Sequence, residues 1–474
     1  MTARYKPYPE YKPSDVEWIG DVPEHWWVFG GKRIFRQRIE RAQVDDEQLA
    51  ATQQYGVIPQ SLYMKENGQK VVLALKGTDS FRHVEENDFV ISLRSFQGGI
   101  EHSGYSGCVS PAYTVLDAVK QIDFRYYRYL LKSTPYICAL QSSTDSLREG
   151  KSITYEQFGQ ISLPLLPMEE QHAIAAFLDR ETGKIDRMIG KQERMIELLK
   201  EKRQAVISNA VTKGLPAEAS AKAGLDPNAP MKDSGIEWLG QIPEHWEATK
   251  LKYRAIFYGG GTPSKNNPDY WKGDIPWVSP KDMKSSRIGN SQDKITTLAV
   301  VESSTKLIRA GAVLMVVRSG ILQRTIPVGI NDIAVTLNQD MKAIIFGKPL
   351  LADFFQLLVS GLESQLLLEW RKQGATVESI EHEYLANSTL CIPPYEEMGA
   401  IIEYLKEETT KIDRLIAKAE QAIELMKERR TALISAAVTG KIDVRSVTSN
   451  AYCVTDDTPE LMAAEEQAEY RVKE

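Results

Sequence analysis

Two short motifs in the second half of the chain have residue types of an adenosylmethionine-dependent methyltransferase. Residues 257–261, Phe-Tyr-Gly-Gly-Gly, fit the F-x-G-x-G pattern of a methyl-donor site, and residues 392–395, Ile-Pro-Pro-Tyr, partly match the P-P-Y pattern that holds a target amino group. The second pattern requires Asn, Asp or Ser before the prolines, because a polar oxygen must accept a hydrogen bond from that amino group. Ile392 cannot accept one. We therefore predict that the chain does not transfer methyl groups by itself.

A second possible chemistry is metal-dependent cleavage of nucleic acid. Asp269 follows a proline, and Asp282 precedes Lys284 by two residues, which satisfies the loose PD…(D/E)-x-K spacing of nucleases that hold Mg²⁺ with carboxylates. The corresponding part of the first half contains no similar set. The six histidines and four cysteines show no metal-ligand spacing. A nuclease is the less favoured alternative, and no catalytic, cofactor or metal residue is predicted.

Length and composition limit the remaining classes. The 474 residues suggest about three domains, and 42% hydrophobic with 26% charged residues is typical of a globular protein. The net charge of −6 argues against non-specific coating of nucleic acid, because that mode depends on many Lys and Arg side chains that meet phosphates. A sequence-specific binder is still allowed. Neither a membrane-length apolar run nor a secretory leader is apparent, so we expect a cytoplasmic protein.

The elements that must position any site occur twice. Residues 16–26, VEWIGDVPEHW, recur at 236–246 as IEWLGQIPEHW, an offset of 220 residues. Residues 169–212 recur at 396–439, an offset of 227, with 26 of 44 positions identical and no gap. The chain is therefore a tandem duplication whose interiors differ in length and sequence. The repeated histidines of the P-E-H-W segments are predicted to anchor a Trp-rich turn and not to act in catalysis.

Each copy of the long repeat has the apolar spacing of a coiled-coil helix. Steps of four and three residues join Ile174, Leu178, Glu181, Ile185, Met188, Gln192, Met195, Leu199, Lys202 and Val206, and in the second copy Ile401, Leu405, Glu408, Ile412, Leu415, Ala419, Ala422, Met426, Arg429 and Leu433. About 45 residues at 1.5 Å each predict a helix of roughly 65 Å. Gly214 and Gly440 stand where a helix C-terminus favours glycine. Two such helices in one chain favour antiparallel pairing within the chain, and a coiled-coil homodimer is the alternative.

The interiors predict α+β domains with a twisted antiparallel or mixed sheet. Short β-like runs at 89–93, 113–116 and 312–317 accompany helical patches at 124–133 and 351–372. The predicted fold is two recognition domains joined by two long antiparallel coiled-coil helices with pseudo-two-fold symmetry. The predicted boundaries are 1–160 for the first domain, 167–214 for the first helix, 215–233 for a linker, 234–390 for the second domain, 394–440 for the second helix and 441–474 for an acidic C-terminal tail.

This organisation resembles the specificity (S) subunits of type I DNA restriction-modification systems, and the resemblance covers nearly the whole chain. In the first half it rests on Asp15–Gly20 with Pro23–Trp26, and on Ile91–Gly99 with Ser110–Tyr113. In the second half it rests on Gly261–Ser264, Tyr270–Trp271, Ile275–Ser279 and Asn338–Asp340, together with the A-V-x-x-x-A-V-T-like tails of the long helices.

The resemblance implies a non-catalytic subunit that reads a bipartite site in double-stranded DNA, one half per domain. It implies that the paired helices bind two methyltransferase subunits, which restriction (translocase/nuclease) subunits join to form an endonuclease and adenine-N6 methyltransferase. No cofactor is expected in this chain, whereas the partners are expected to use S-adenosylmethionine, ATP and Mg²⁺. A non-catalytic coiled-coil interaction protein is the main alternative. No transferable code predicts the recognised bases.

Base readout requires donors and acceptors on loops of a rigid sheet, with Arg suited to guanine and Gln or Asn to adenine, while Lys positions phosphates. The predicted DNA-binding residues are Arg94, Ser95, Gln97, Ser264, Lys265, Lys281, Lys284, Arg318 and Ser319. The repeated Lys-Ile-Asp-Arg segment of the helices supplies the predicted partner-binding residues, which are Ile185, Arg187, Ile412 and Arg414.

Overall fold

The computed structural model describes residues 5–67, 80–143, 153–372 and 377–445. The chain divides into two compact units, which we call unit 1 (residues 1–192 and 421–474) and unit 2 (residues 193–420). Each unit contains one of the divergent interiors and a part of each long repeat.

Unit 1 contains many short strands, four of which form its main antiparallel sheet. Its strands are β1 (Tyr11–Pro13), β2 (Asp21–Pro23), β3 (Trp27–Gly30), β4 (Phe35–Arg38), β5 (Leu49–Thr52), β6 (Gly56–Pro59), β7 (Arg82–Val84), β8 (Phe89–Ile91), β9 (Glu101–His102), β10 (Gly107–Val109), β11 (Thr114–Ala118) and β12 (Ser162–Leu165). Its helices are α1 (Gln60–Asn67), α2 (Ser95–Gly98), α3 (Phe124–Leu130), α4 (Thr134–Ser142), α5 (Tyr155–Gln160) and the first part of α6 (Met168–Lys213). The main sheet has the order β4-β11-β8-β9, and β1 pairs with β2, β3 with β12, β5 with β6 and β7 with β10.

The core of unit 1 forms where apolar strand residues meet helix α3. All three residues of β8 are buried, as expected for a short continuous apolar run inside a sheet. The Phe35 ring lies edge-on to the rings of Phe89, Tyr127 and Phe158. The sheet is therefore held from one side by an aromatic cluster, which gives the loops between its strands a rigid base.

Unit 2 also contains many short strands, five of which form its main mixed sheet. Its strands are β13 (Met231–Asp233), β14 (Gln241–Pro243), β15 (Glu247–Lys250), β16 (Ala255–Gly259), β17 (Trp271–Val278), β18 (Arg287–Ile288), β19 (Asp293–Ile295), β20 (Val313–Val316), β21 (Val328–Asn331), β22 (Thr336–Leu337), β23 (Met341–Phe346) and β24 (Thr389–Ile392). Its helices are α7 (Ala217–Lys222), α8 (Thr297–Glu302), α9 (Pro349–Gly361), α10 (Glu363–Trp370), α11 (His382–Asn387) and parts of α6 and α12 (Tyr395–Val438). The order is β16-β23-β20-β21-β18, with β18 parallel to β21, and a second sheet has the order β19-β17-β22.

Helix α9 covers the mixed sheet of unit 2. Strand β20 is buried at all four positions, and Phe354 and Phe355 of α9 belong to the same core cluster. No single helix among the described residues is long and apolar enough to cross a membrane. The pair α9 and α10, bent by 90°, passes the same test by length and composition, and both helices contribute buried residues to this core.

The α+β prediction is confirmed, with an antiparallel main sheet in unit 1 and a mixed one in unit 2. The predicted linker at 215–233 is wrong in part, because α7 lies within it and β13 pairs with β14. Of the predicted tail, residues 446–474 lie outside the described residues. Residues 441–445 pack on unit 1, where Ile442 and Val444 are buried.

The two long helices have the predicted lengths, 46 residues for α6 and 44 for α12. Gly214 and Gly440 follow them with φ of +82° and +73°, the left-handed backbone expected of a C-terminal glycine.

The strict four-three spacing predicted for the helices is wrong beyond Ile185 in α6 and Ile412 in α12. The buried isoleucines follow steps of eleven residues, at Ile185, Ile196 and Ile207 and, in α12, at Ile412, Ile423 and Ile434. Eleven residues over three turns is about 3.67 per turn, close to the 3.6 of a straight helix, whereas a heptad requires 3.5. Met188, Met195 and Leu415, predicted inside, are exposed instead.

In each unit the two long helices run antiparallel. In unit 1, Arg430 of α12 donates to Asp186 of α6 at 2.9 Å, while α6 residues 174–178 share a core with Ala437 and Val438. In unit 2, Arg203 of α6 donates to Asp413 of α12 at 3.0 Å. Both ion pairs join equivalent positions of the repeat, because 203 and 430, like 186 and 413, differ by 227.

Candidate nucleic-acid interface

A buried glutamate in the first turn of α6 organises the frame of unit 1. Glu170 Oε2 lies 2.7 Å from His25 Nε2, and its Oε1 accepts hydrogen bonds from Trp26 Nε1 at 3.0 Å and from the Tyr8 hydroxyl. A carboxylate that is only 4% exposed needs such partners, and the positive end of the helix dipole also favours it. We call this arrangement the carboxylate clamp.

Unit 2 contains the same clamp around Glu397, the counterpart of Glu170 in α12. Its Oε2 lies 2.6 Å from His245 Nε2, and its Oε1 accepts from Trp246 Nε1 at 3.1 Å. The prediction that the repeated histidines anchor Trp-rich turns is confirmed. Each clamp therefore joins one P-E-H-W segment to the long repeat that follows it, and each of the two supplies half of one buried contact.

The predicted DNA-binding residues of unit 1 lie on and before α2, which connects β8 to β9. The side chains of Arg94 and Gln97 are exposed, as base readout requires. Ser95 is buried, and its hydroxyl accepts a hydrogen bond from the Ser92 N–H at 2.9 Å. We therefore correct the prediction for Ser95, because this serine holds the turn and has no surface to present.

A cavity of about 530 Å³ in unit 1 contains residues that the sequence analysis missed. The β5–β6 turn contributes Gln53 and Tyr55, and the β9–β10 loop contributes Tyr105. A Cβ on Gly98 of α2 would touch the Gln53 side chain, so this turn lies against α2. The signal available in the sequence was a turn, Gln53–Gly56, that carries two amides and a tyrosine.

The lining of this cavity includes an ion pair, whose carboxylate is buried, and a half-buried histidine. Glu101 and Lys132 are 2.6 Å apart, and burial raises the pKa of Glu101. Burial, with a contribution from Arg128, lowers the pKa of His102 to about 4. The His102 ring also hydrogen bonds to Asn87 Oδ1 at 3.1 Å. The ring is therefore neutral at physiological pH and contributes no charge to this surface.

In unit 2 the predicted residues fall into two groups. Ser264, Lys265 and Lys284 are exposed. The cations of the other group already have partners. Lys281 Nζ lies 2.7 Å from Asp293, which raises the pKa of Lys281, and Arg318 Nε donates to an Asp340 carboxylate oxygen at 2.7 Å.

Ser319 has a local role, because its hydroxyl accepts the Ile321 N–H at the start of a short 3-10 helix. Lys284 lines a cavity of about 730 Å³ together with Arg287 and Lys406.

Of the possible nuclease residues, Asp282 has structural partners for its carboxylate. Asp282 accepts hydrogen bonds from the Ser279 N–H at 2.9 Å and hydroxyl at 2.7 Å through Oδ2, and from the Gln292 N–H at 2.8 Å through Oδ1. Through Oδ2 this carboxylate closes the capping box of a 3-10 helix, and through Oδ1 it joins that helix to the residue before β19. Within the described residues, no group of three His, Cys, Asp or Glu side chains could hold a metal ion.

The predicted partner-binding residues of the helices differ in solvent exposure. Ile185 and Ile412 are buried within units 1 and 2, so we correct the prediction that they contact a partner. Arg187 and Arg414 are exposed. The heptad assignment hid two exposed apolar residues, Met188 and its counterpart Leu415, with 44% and 49% exposure.

Comparison with known proteins identifies the second half of the chain. The model of the "Type I restriction modification DNA specificity domain" matches residues 243–425. These residues belong to that family. The matched segment contains the His245 and Glu397 clamp, the mixed sheet and the first part of α12.

Curated relatives support the family over longer stretches. The EcoR124I/EcoR124II specificity subunit of Escherichia coli is 36% identical over 201 residues, which is 42% of this chain and 47% of that protein. The MjaIX specificity subunit of Methanocaldococcus jannaschii is 28% identical over 40% of this chain and 43% of that protein. The alignments thus span about half the length of these relatives. The resemblance to type I specificity subunits is confirmed.

Solved structures share the fold of this chain. The HsdS subunit from Thermoanaerobacter tengcongensis matches 89% of this chain and 98% of that chain, with 14% identity and a TM-score of 0.51. A chain described with complex assembly and conformational transition of the type I R-M system matches 89% of this chain and 99% of that one, with 15% identity and a TM-score of 0.61.

Proposed function

We propose that the chain is the sequence-specific DNA-binding specificity subunit of a type I restriction-modification complex. One observation carries the proposal: the same carboxylate clamp occurs in two units whose sheet domains differ. Two modules with a common frame and different interiors suit a DNA target with two unlike half-sites, because each interior can present its own donors and acceptors.

In this proposal the recognition domains are residues 1–160 and 234–390. Arg94 and Gln97 would read bases in unit 1; this is supported by the exposure of both side chains beside a turn that is packed against α2. Ser264, Lys265 and Lys284 serve unit 2, with the lysines directed to phosphates. Lys281 and Arg318 would first have to leave their carboxylate partners, so we expect smaller contributions from them.

The long helices act as a spacer between half-sites and as the docking surface for two methyltransferase subunits. Exposed Arg187 and Arg414, at equivalent positions, support one contact in each copy, as do the exposed apolar Met188 and Leu415. Restriction subunits would join through the methyltransferases. The chain itself contributes positioning in the cytoplasm, while S-adenosylmethionine, ATP and Mg²⁺ would be used by the partner subunits.

The test is methylation of a random duplex library by the chain together with its methyltransferase subunits, followed by sequencing of the methylated sites. We expect adenine methylation within one bipartite motif. A chimera that replaces residues 247–388 by the block of a related chain should change one half-site and keep the other. Simultaneous change of both half-sites would refute separate reading by the two domains.

The same preparation separates the alternatives. The pure chain should neither methylate nor cut DNA, and the full chain without methyltransferase subunits serves as the control. Cleavage by the pure chain that Asp282→Asn abolishes would favour the nuclease. Absence of sequence-selective binding in the assembled complex would favour an interaction protein.

A further inference from the structure

Unit 2 has a cavity of about 480 Å³ beside its carboxylate clamp. Glu397 and His245 line one side, and Leu215, Leu225 and Met231 contribute apolar walls. This volume lies within the range of protein sites for small ligands and side chains. The Glu397 carboxylate is 7% exposed, so a group that enters the cavity meets a largely desolvated acceptor.

The equivalent place in unit 1 is filled by the chain's own Tyr8. The Tyr8 hydroxyl donates to Glu170 Oε1, and its ring meets the Trp26 ring edge-on at 6.0 Å between centroids. Tyr8 is buried. Burial and the neighbouring Glu170 raise the pKa of Tyr8, so this hydroxyl stays protonated and donates. Unit 1 therefore shows what a filled clamp contains.

Unit 2 keeps the backbone of this region but has no tyrosine there. The counterpart of Tyr8, at the offset of 220, is Asn228, whose side chain is exposed. The backbone hydrogen bond from Glu24 N to Glu10 O recurs from Glu244 N to Pro230 O, which establishes the equivalence.

The acceptor of unit 2 is correspondingly less occupied. Glu170 receives hydrogen bonds from three side chains, His25, Trp26 and Tyr8, whereas Glu397 receives them from two, His245 and Trp246. A carboxylate oxygen has two lone pairs, so Glu397 Oε1 can accept a further donor beside the Trp246 indole.

We propose that this cavity receives a tyrosine side chain presented by a partner polypeptide. Its hydroxyl donates to Glu397 Oε1, its ring lies against Trp246, and the apolar walls hold the ring as Tyr8 is held in unit 1. The proposal goes beyond DNA recognition, because it assigns a protein-docking site to the frame and does not depend on what the sheet domains bind.

The test is a titration of the full chain with the peptide N-acetyl-Gly-Tyr-Gly-amide, followed through the indole N–H NMR signal of Trp246. We expect a saturable shift of this signal. The matched peptide with Phe in place of Tyr should bind about tenfold more weakly or worse, because it lacks the hydrogen bond to a charged acceptor. Asn228→Tyr should fill the cavity from within and abolish the shift.

A second variant makes the same test in unit 1. Tyr8→Asn should open a matching cavity, so that the peptide then shifts the indole signal of Trp26 as well. No shift of Trp246 in the wild type, equal binding of the Tyr and Phe peptides, or undiminished binding to Asn228→Tyr would each overturn the proposal. Binding of free p-cresol without binding of the tyrosine peptide would also overturn it, because the site would then suit a small molecule only.

Discussion

The substitution Glu170→Gln keeps the volume of the clamp in unit 1 and removes its charge. The amide oxygen can still accept from Trp26 and Tyr8, but as a neutral acceptor, and the amide NH₂ replaces the oxygen that faces His25 at 2.7 Å. A hydrogen bond to a charged group contributes about 1.5–3 kcal/mol and a neutral one about 1 kcal/mol. One lost and two weakened bonds should therefore destabilise unit 1 by about 3–5 kcal/mol.

Glu397→Gln is the matched change in unit 2. Only two donors meet this carboxylate, so we expect a loss of about 2–4 kcal/mol, roughly 1 kcal/mol less than for Glu170→Gln. Tyr8→Phe should remove most of the difference between the two units, because it deletes the third donor of Glu170 alone.

Native-state hydrogen exchange read by mass spectrometry is the suitable assay, because it gives opening free energies for peptides of each unit separately. A single two-state value would not be well defined for a chain with two units. Each substitution should lower the protection of backbone amides against hydrogen exchange in its own unit. A cost below about 0.5 kcal/mol for Glu170→Gln, the size of an ordinary surface change, would refute the clamp as a stabilising contact.

Four further outcomes can be measured. The pKa of His102 is about 4 in the folded chain and near 6.5 in the unfolded chain, so the unfolded chain takes up the proton first as the pH falls. The free energy of unfolding of unit 1 should therefore drop by up to roughly 3 kcal/mol between pH 6.5 and 4. Denaturant titrations should show that His102→Gln flattens this pH dependence. Asp15, with φ +55°, occupies the position in unit 1 that Gly235, with φ +71°, occupies in unit 2. Asp15→Ala and Gly235→Ala should each lower the stability of the unit by about 1 kcal/mol, as measured by hydrogen exchange, whereas Asp15→Gly should leave it unchanged. Arg94→Ala or Gln97→Ala should weaken DNA binding by about 1–3 kcal/mol and relax the specificity at one base pair. Equal weakening of binding to every duplex, with a flatter salt dependence, would instead indicate a phosphate contact. Four residues inserted into one long helix add about 6 Å, near two base-pair rises of about 3.4 Å, so methylome sequencing should find a longer spacer with the same half-sites; an unchanged spacer with full activity would contradict the spacer role.

The sequence by itself determined the repeat, the element types and the ends of the long helices. These features are local: the offsets of 220 and 227, the apolar run at 313–316 and the glycines at 214 and 440 can each be recognised within a short window. The structure agrees with them, because helix capping and strand burial depend mainly on neighbours along the chain.

Only the tertiary structure decided which side chains meet and which face outward. His25 and Glu170 are 145 residues apart, so no periodicity could pair them. The buried positions of the long helices repeat every eleven residues, so they shift by one residue from the positions that a heptad count predicts. Ile196 is therefore buried and Met195 exposed. The unfilled clamp of unit 2 is likewise invisible in sequence, because Asn228 in place of Tyr8 is an ordinary change until the buried acceptor beside it is known. Long-range contacts and burial come from topology, and topology brings together residues whose spacing along the chain contains no such signal.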